Sequence, residues 1–196
     1  MLAHLAQWDH LLLHWINGHH NRALDAVFVP VSLLGEMGTI WVLVGLGMII
    51  FGRGRPRLLG LVLLATMLVA DRVLEWPLRE LVFRQRPYLG LRGIRHLGIA
   101  WSGNSFPSAH ATSVVIATVL LGAEYRRLLV TLIVFALLTI YSRPYLGMHH
   151  PSDAVVGALV GLIAGLASWR LTRDWGRPAL ECPPPRGEAT FDIGLH

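Results

Sequence analysis

The chain has 196 residues, of which 54% are hydrophobic and only 15% charged, and its mean hydropathy is +0.52. A single small domain cannot bury that much apolar surface against itself, so a lipid environment is expected. The net charge of +5 comes from arginine rather than lysine, and those arginines sit between apolar runs instead of forming a basic stripe on a polar surface, which argues against nucleic acid as the partner.

In chain order, residues 4–17 mix Leu, Trp and Ile with Asp and His, and Leu5, Trp8, Leu12, Trp15 and Ile16 fall near helical spacing. This reads as an amphipathic helix lying at a membrane interface. The early histidines (His4, His10, His14, His19, His20) read as its polar face or as weak metal ligands. No cleavable leader is expected, because residues 1–20 lack a basic start and a long apolar run. Residues 21–34 hold Arg22, Asp25 and Pro30 and read as short and broken. Five apolar stretches follow: 38–51, 58–70 continuing to about residue 82, 107–122, 128–141 and 154–169. The expected fold is therefore all-α, an integral-membrane helical bundle of about five transmembrane helices plus N-terminal amphipathic helices. Its units would be residues 1–35, a catalytic core at 36–172 and a Pro-rich, polar, disordered tail at 173–196. Gly157, Gly161 and Gly165 recur every four residues, a spacing that lets a neighbouring helix approach closely. Cys182 is alone and cannot form an internal disulfide.

If the five spans alternate, the arginines of 52–57, 125–127 and 170–177 share one side, the cytoplasmic one by the positive-inside rule. The opposite, outward face then carries three polar clusters. The first runs from Arg79 through Arg84 to Arg86-Pro87; the second is Pro107-Ser108-Ala109-His110; the third is Ser142-Arg143 followed by His149, His150, Pro151 and Asp153. Arg79, Arg86 and Arg143 are permanent cations with forked donors suited to phosphate oxygens. Pro107 at a helix start leaves the N–H groups of Ser108, Ala109 and His110 free at the positive end of a helix dipole, an anion site. Asp153 is placed to accept the protonated nitrogen of His149 and leave the other free to attack, with His110 as the acid for a leaving oxygen. Such a set performs phosphoryl transfer without a metal, because arginines take the charge.

Each cluster alone has a plainer reading: an arginine anchor for headgroups, a helix N-terminus, or a His–Asp pair that caps a helix or binds a metal. Asp71, Arg72 and Glu75 read as ion pairs along one helix. Residues 88–105 are placed to form a lid, with Arg92 or Arg95 available to a second phosphate, although solvated loop arginines are the commoner case.

The three clusters, in this order and spacing, resemble the signatures of the type 2 phosphatidic acid phosphatase (PAP2) family. Those are Lys-x6-Arg-Pro, Pro-Ser-Gly-His and Ser-Arg-x5-His-x3-Asp. Arg79 stands for the lysine, Ala109 for the glycine, and the third signature is complete. The resemblance implies a lipid phosphatase that needs no metal or cofactor and forms a phosphohistidine at His149. Asp153 would orient that histidine and His110 would be the general acid. Arg79, Arg86, Arg143, Ser108 and the N–H of Ala109 would hold the phosphate. Polyprenyl pyrophosphate, phosphatidylglycerophosphate and phosphatidic acid are the expected substrates, at the outer face of a bacterial inner membrane. Transfer to an acceptor lipid and non-enzymatic binding of anionic lipids are the competing functions.

Overall fold

The computed structural model describes residues 2–175, and these form helices and connecting turns with one isolated bridge, Gln85 to Asn104. The tail expected from 173 onward therefore lies outside the described residues beyond Trp175.

Helix α1 (Leu2–Gly18) and α2 (Arg22–Leu34) lead into a 3-10 turn (Glu36–Gly38) and α3 (Thr39–Phe51). Asn21 starts α2 by accepting the Leu24 N–H on its side chain at 2.9 Å. The break expected within 21–34 does not occur: α2 runs unbroken through Pro30. Its packing against the fourth apolar stretch offsets the lost backbone bond. The axis instead bends by 49° between α2 and α3.

Helix α4 (Arg55–Val69) continues through a π-helical turn (Ala70–Glu75) into α5 (Trp76–Leu81), as the sequence suggested for 58–82. A short turn, α6 (Pro87–Gly90), opens the long loop that leads to α7 (Ala109–Glu124). The bundle closes with α8 (Leu129–Tyr145) and α9 (Pro151–Thr172).

Among the described residues, α8 with its preceding turn and α9 are long and apolar enough to cross a membrane, and the bent α2–α3 pair makes a third if it forms one span. This is fewer than the five expected. Helices of 13 to 16 residues such as α3 and α7 reach only about 20–24 Å at 1.5 Å per residue, short of a hydrocarbon core of about 30 Å. The α4–α5 rod is long enough but carries Asp71, Arg72, Glu75, Arg79 and Glu80.

The glycine stripe of α9 meets α7. A Cβ on Gly157 would lie 2.4 Å from the Ser108 carbonyl oxygen, and one on Gly161 would lie 2.5 Å from that of Thr112. Backbone meets backbone here, and Thr112 Oγ1 donates to the Gly157 carbonyl at 2.9 Å. The N-termini of α7 and α9 and the C-terminus of α8 consequently share one end of the bundle. At the other end Arg55 binds Glu124 and the carbonyls of Thr172 and Trp175. The main core packs Trp41, Leu59, Leu63, Val114, Ile116 and Leu120 between these ends, and a smaller one under the polar end unites Ile16, Phe28, Tyr145 and Met148.

Candidate active site

Three helix termini build the site. Pro151, which has no N–H to leave unpaired, opens α9, and the Asp153 carboxylate caps it by accepting the His150 N–H at 2.9 Å. Ser108 precedes the first residue of α7, and its side chain does not cap the helix. The last turn of α8 presents Arg143. Between these ends lies a cavity of about 280 Å³ lined by Arg79, Arg86, Ala109, His110, Arg143 and His149, together with Glu36, Trp101, Asn104 and Pro107. Six of the eight expected site residues thus share one cavity. Ser108 and Asp153 do not line it; both are fully buried behind it.

The His149 Nδ1–H is held by the Ser105 carbonyl oxygen at 2.7 Å, so Nε2 carries the lone pair. That Nε2 lies 3.2 Å from Arg86 Nη1 at the cavity wall. The hydrogen bond expected from His149 to Asp153 is not formed, because the two atoms are 3.9 Å apart. Asp153 is committed elsewhere: Oδ2 accepts Ser105 Oγ and the His150 N–H, and Oδ1 accepts Arg84 Nη1 at 2.8 Å. Its link to His149 runs through Ser105, whose hydroxyl meets the carboxylate and whose carbonyl meets the imidazole. Burial first, then the charges of Arg143 and Arg86, hold the His149 imidazole well below its ordinary 6.5, so it is neutral and nucleophilic at neutral pH.

The cavity is rich in unspent donors. Among the described residues, Arg86 Nε, Arg143 Nε and His110 Nε2, all on lining residues, are buried without a hydrogen-bond partner, as is Ser108 Oγ behind the wall. Buried orphan donors are rare unless something occupies the space they face, and donors on two guanidinium groups suit an oxyanion. Arg143 is 1% exposed, and one of its terminal nitrogens is steadied by Ser32 Oγ. His110 Nε2 lies 3.4 Å from Glu36 Oε2, which is beyond good hydrogen-bonding geometry.

The PAP2 superfamily model matches residues 58–177, a segment that holds all three clusters. The chain belongs to the PAP2 superfamily. It is an integral-membrane lipid phosphatase of that family. It is 27% identical over 164 residues to undecaprenyl-diphosphatase BcrC of Bacillus subtilis, covering 83% of this chain and 82% of that one. Among solved structures it is similar to Aquifex aeolicus LpxE, with TM-score 0.71, 28% identity, and 81% and 93% of the two chains covered. The fold is also that of a transmembrane PAP2-type phosphatidylglycerolphosphate phosphatase from Bacillus subtilis, with TM-score 0.69, 24% identity and 87% of each chain.

Within this PAP2 centre, several expectations change. The N–H of Ser108 is not free, because it donates to the Asp153 carbonyl at 3.1 Å; the N–H groups of Ala109 and His110 remain at the open start of α7. Arg79 is not an unpaired cation. It donates to Asp71 Oδ1 at 2.9 Å and to Glu75, one helical turn before it on the same face. The acids expected to pair with Arg72 thus serve mainly Arg79, while Arg72 makes an exposed contact to Asp71 at 3.3 Å. Arg95 is not available to a second phosphate, since both terminal nitrogens bind Asp25, at 2.9 and 2.6 Å. Arg92 is exposed. The loop is fastened by Asn17, which bonds both the N–H and the carbonyl of Arg95, each at 2.8 Å. Its cavity-lining residues are Asn104 and Trp101, whose indole donates to Glu36 at 2.7 Å.

Sequence reasoning missed Ser105, Glu36, Arg84 and Asp9, the last an acceptor for Arg84 and Ser152. One signal was available: Glu36 and Asp9 are acids embedded in apolar N-terminal segments, where an ionised side chain needs a partner.

Proposed function

We propose that this PAP2 phosphatase hydrolyses a polyprenyl diphosphate, with phosphatidylglycerophosphate and phosphatidic acid as the other lipid phosphates to be tried. The observation that carries the chemistry is the proton-free His149 Nε2 at the wall of a cavity edged by Arg86, Arg143, Arg79 and His110. In the first step the Nε2 lone pair attacks the terminal phosphorus and the bond to the bridging or ester oxygen breaks; His110, which burial and the Arg143 charge keep neutral before substrate binds, takes up a proton beside the bound anionic phosphate and gives it to that oxygen. The positive charge on the phosphorylated ring is stabilised by the Ser105 carbonyl on Nδ1–H and by Asp153 behind it. In the second step a water oxygen attacks the phosphorus, neutral His110 takes the proton, and the P–Nε2 bond breaks to release phosphate.

Arg86 and Arg143 neutralise the equatorial oxygens, and Arg79 completes the set by exchanging an acid partner for phosphate. Ala109 brings the first N–H of α7 to the cavity wall as a further donor, and the unpartnered Ser108 hydroxyl is the reserve donor beside it. These guanidinium groups supply in this reading the charge stabilisation for which other phosphoryl-transfer enzymes use Mg²⁺. Preference for a polyprenyl diphosphate is supported by the similarity to an undecaprenyl-diphosphatase over most of both chains. The arginine-rich end around Arg55 would face the cytoplasm, and the active end the outside of a bacterial inner membrane. Residues 1–35 and 36–172 would form the N-terminal and catalytic units.

The decisive experiment measures phosphate release from undecaprenyl diphosphate, phosphatidylglycerophosphate and phosphatidic acid by detergent-purified protein in excess chelator, alongside His149→Ala. Release that disappears in the variant, with acid-labile label trapped on the wild type, is the expected result. Release that survives His149→Ala sinks the nucleophile assignment.

A further inference from the structure

Helix α1 carries one carboxylate, Asp9, and it points inward. A helix that merely rests on a membrane would turn its acid to water; the Asp9 side chain is only 9% exposed. Its Oδ1 accepts the Ser152 N–H at 2.9 Å. Its Oδ2 accepts Ser152 Oγ at 2.6 Å and the Nη2 of Arg84. Ser152 is in the first turn of α9, so Asp9 supplies from another helix a negative charge at the positive end of the α9 dipole. The His10 ring stacks on His150 with centroids 5.3 Å apart, which seats the same stretch of α1 against the third signature.

Arg84 holds two carboxylates at once. Nη2 meets Asp9, and Nη1 meets Asp153 Oδ1 at 2.8 Å and Ser152 Oγ at 2.6 Å. The chain of contacts then continues from Asp153 Oδ2 to Ser105 Oγ and from the Ser105 carbonyl to His149 Nδ1. We propose that Asp9 is a positioning residue of the active centre, acting through Arg84 on Asp153 and Ser105 to fix the His149 imidazole. The inference rests on the reading of His149 as nucleophile and adds α1 to the machinery, although α1 lies outside the 58–177 segment that matches the family.

The physical reason is the geometry of the guanidinium fork. Asp153 is fully buried, and Arg84 is the cation that binds it. Arg84 is itself partly open to solvent, at 23% of its side chain. With one arm unheld it can rotate, and each rotation moves the carboxylate that anchors Ser105. Asp9 holds the second arm, so that the fork is fixed from α1 and from α9 together.

The test uses full-length protein and the lipid that the wild type hydrolyses. Asp9→Asn removes the charge and keeps the shape, Arg84→Gln removes the relay, and the double variant joins them. Expected for Asp9→Asn is a loss of about ten- to hundred-fold in kcat, the scale of a small misplacement of the reacting group, with KM within about twofold of wild type. The double variant should be no worse than Arg84→Gln alone, because both act on one path. Leu13→Ala, which removes a fully buried contact of the same helix, should lower the melting temperature yet leave kcat of the folded protein intact.

An Asp9→Asn enzyme with wild-type kcat overturns the proposal. So do losses that multiply in the double variant, or a Leu13→Ala variant that loses kcat as Asp9→Asn does, since either assigns Asp9 to packing. Trapping labelled phosphohistidine in the wild type separates the two readings. A wild type that traps label beside an unimpaired Asp9→Asn sinks this inference alone; a wild type that turns over without label on His149 removes the nucleophile reading and this inference with it.

Discussion

At the scale of the residue, the centre is decided by which nitrogen of His149 holds a proton. The Ser105 carbonyl at 2.7 Å takes Nδ1–H and leaves Nε2 free, and burial with two nearby arginines keeps the ring neutral. Because the folded-state pKa is depressed, the acid side of the pH–rate profile belonging to the nucleophile should lie well below 6.5. Arg86→Gln removes one of the repelling charges, so that side should move up toward 6.5 while KM rises. Phosphate release against pH for the two proteins checks this, and an unmoved acid side would refute it. The same shift makes an acid-stability prediction: unfolded His149 binds a proton near 6.5 and folded His149 does not, so its contribution to stability is lost as pH falls from 6.5 through the folded value. Arg143→Ala should cost about a hundredfold in kcat/KM, and Arg143→Lys should recover only part, since one ammonium cannot reach both Ser32 and phosphate as a fork does.

At the scale of the element, the site depends on how closely α7 and α9 approach. Their N-termini carry His110 and Asp153, with His149 just ahead of α9, and the glycines of α9 set the separation. Gly157→Ala would place a methyl 2.4 Å from the Ser108 carbonyl, a backbone atom that cannot swing aside. We expect a loss of about 1–3 kcal/mol in stability and a larger proportional loss of activity, because the helices part where the reacting groups meet. Gly47→Ala on α3, where a Cβ meets nothing within 4 Å, should be neutral or stabilising by about 0.5–1 kcal/mol. Thermal unfolding in detergent and phosphate release on both variants test the pair.

At the scale of the whole molecule, the two ends differ in chemistry. One holds the active cavity under the fastened 88–105 loop, and the other holds Arg55, Glu124 and the end of α9. The proposed orientation predicts that Ser102→Cys, at an exposed position of the loop and in a protein carrying Cys182→Ser, reacts with a membrane-impermeant thiol reagent on intact cells. A cysteine at Arg53 should react only after permeabilisation, and the reverse pattern would invert the topology. The number of crossing helices belongs to this scale as well, because residues 21–34 reach span length only by joining α3 through a bent turn.

Composition and spacing by themselves determined the all-α membrane class, the paired-glycine contact and six of the cavity's residues. The reason is that a proline-led helix start, a permanent cation and a four-residue glycine repeat each constrain their local geometry. What only the tertiary structure decided is how those groups are partnered. Ser105 rather than Asp153 holds the His149 proton, Arg95 is taken by Asp25, and Asp9 and Glu36 reach the centre from α1 and the α2–α3 turn. These partners are separated from their targets by up to 143 positions in the chain. No local pattern encodes such a pairing; it follows from which helix ends the bundle brings together and from the need of each buried charge for a counter-group.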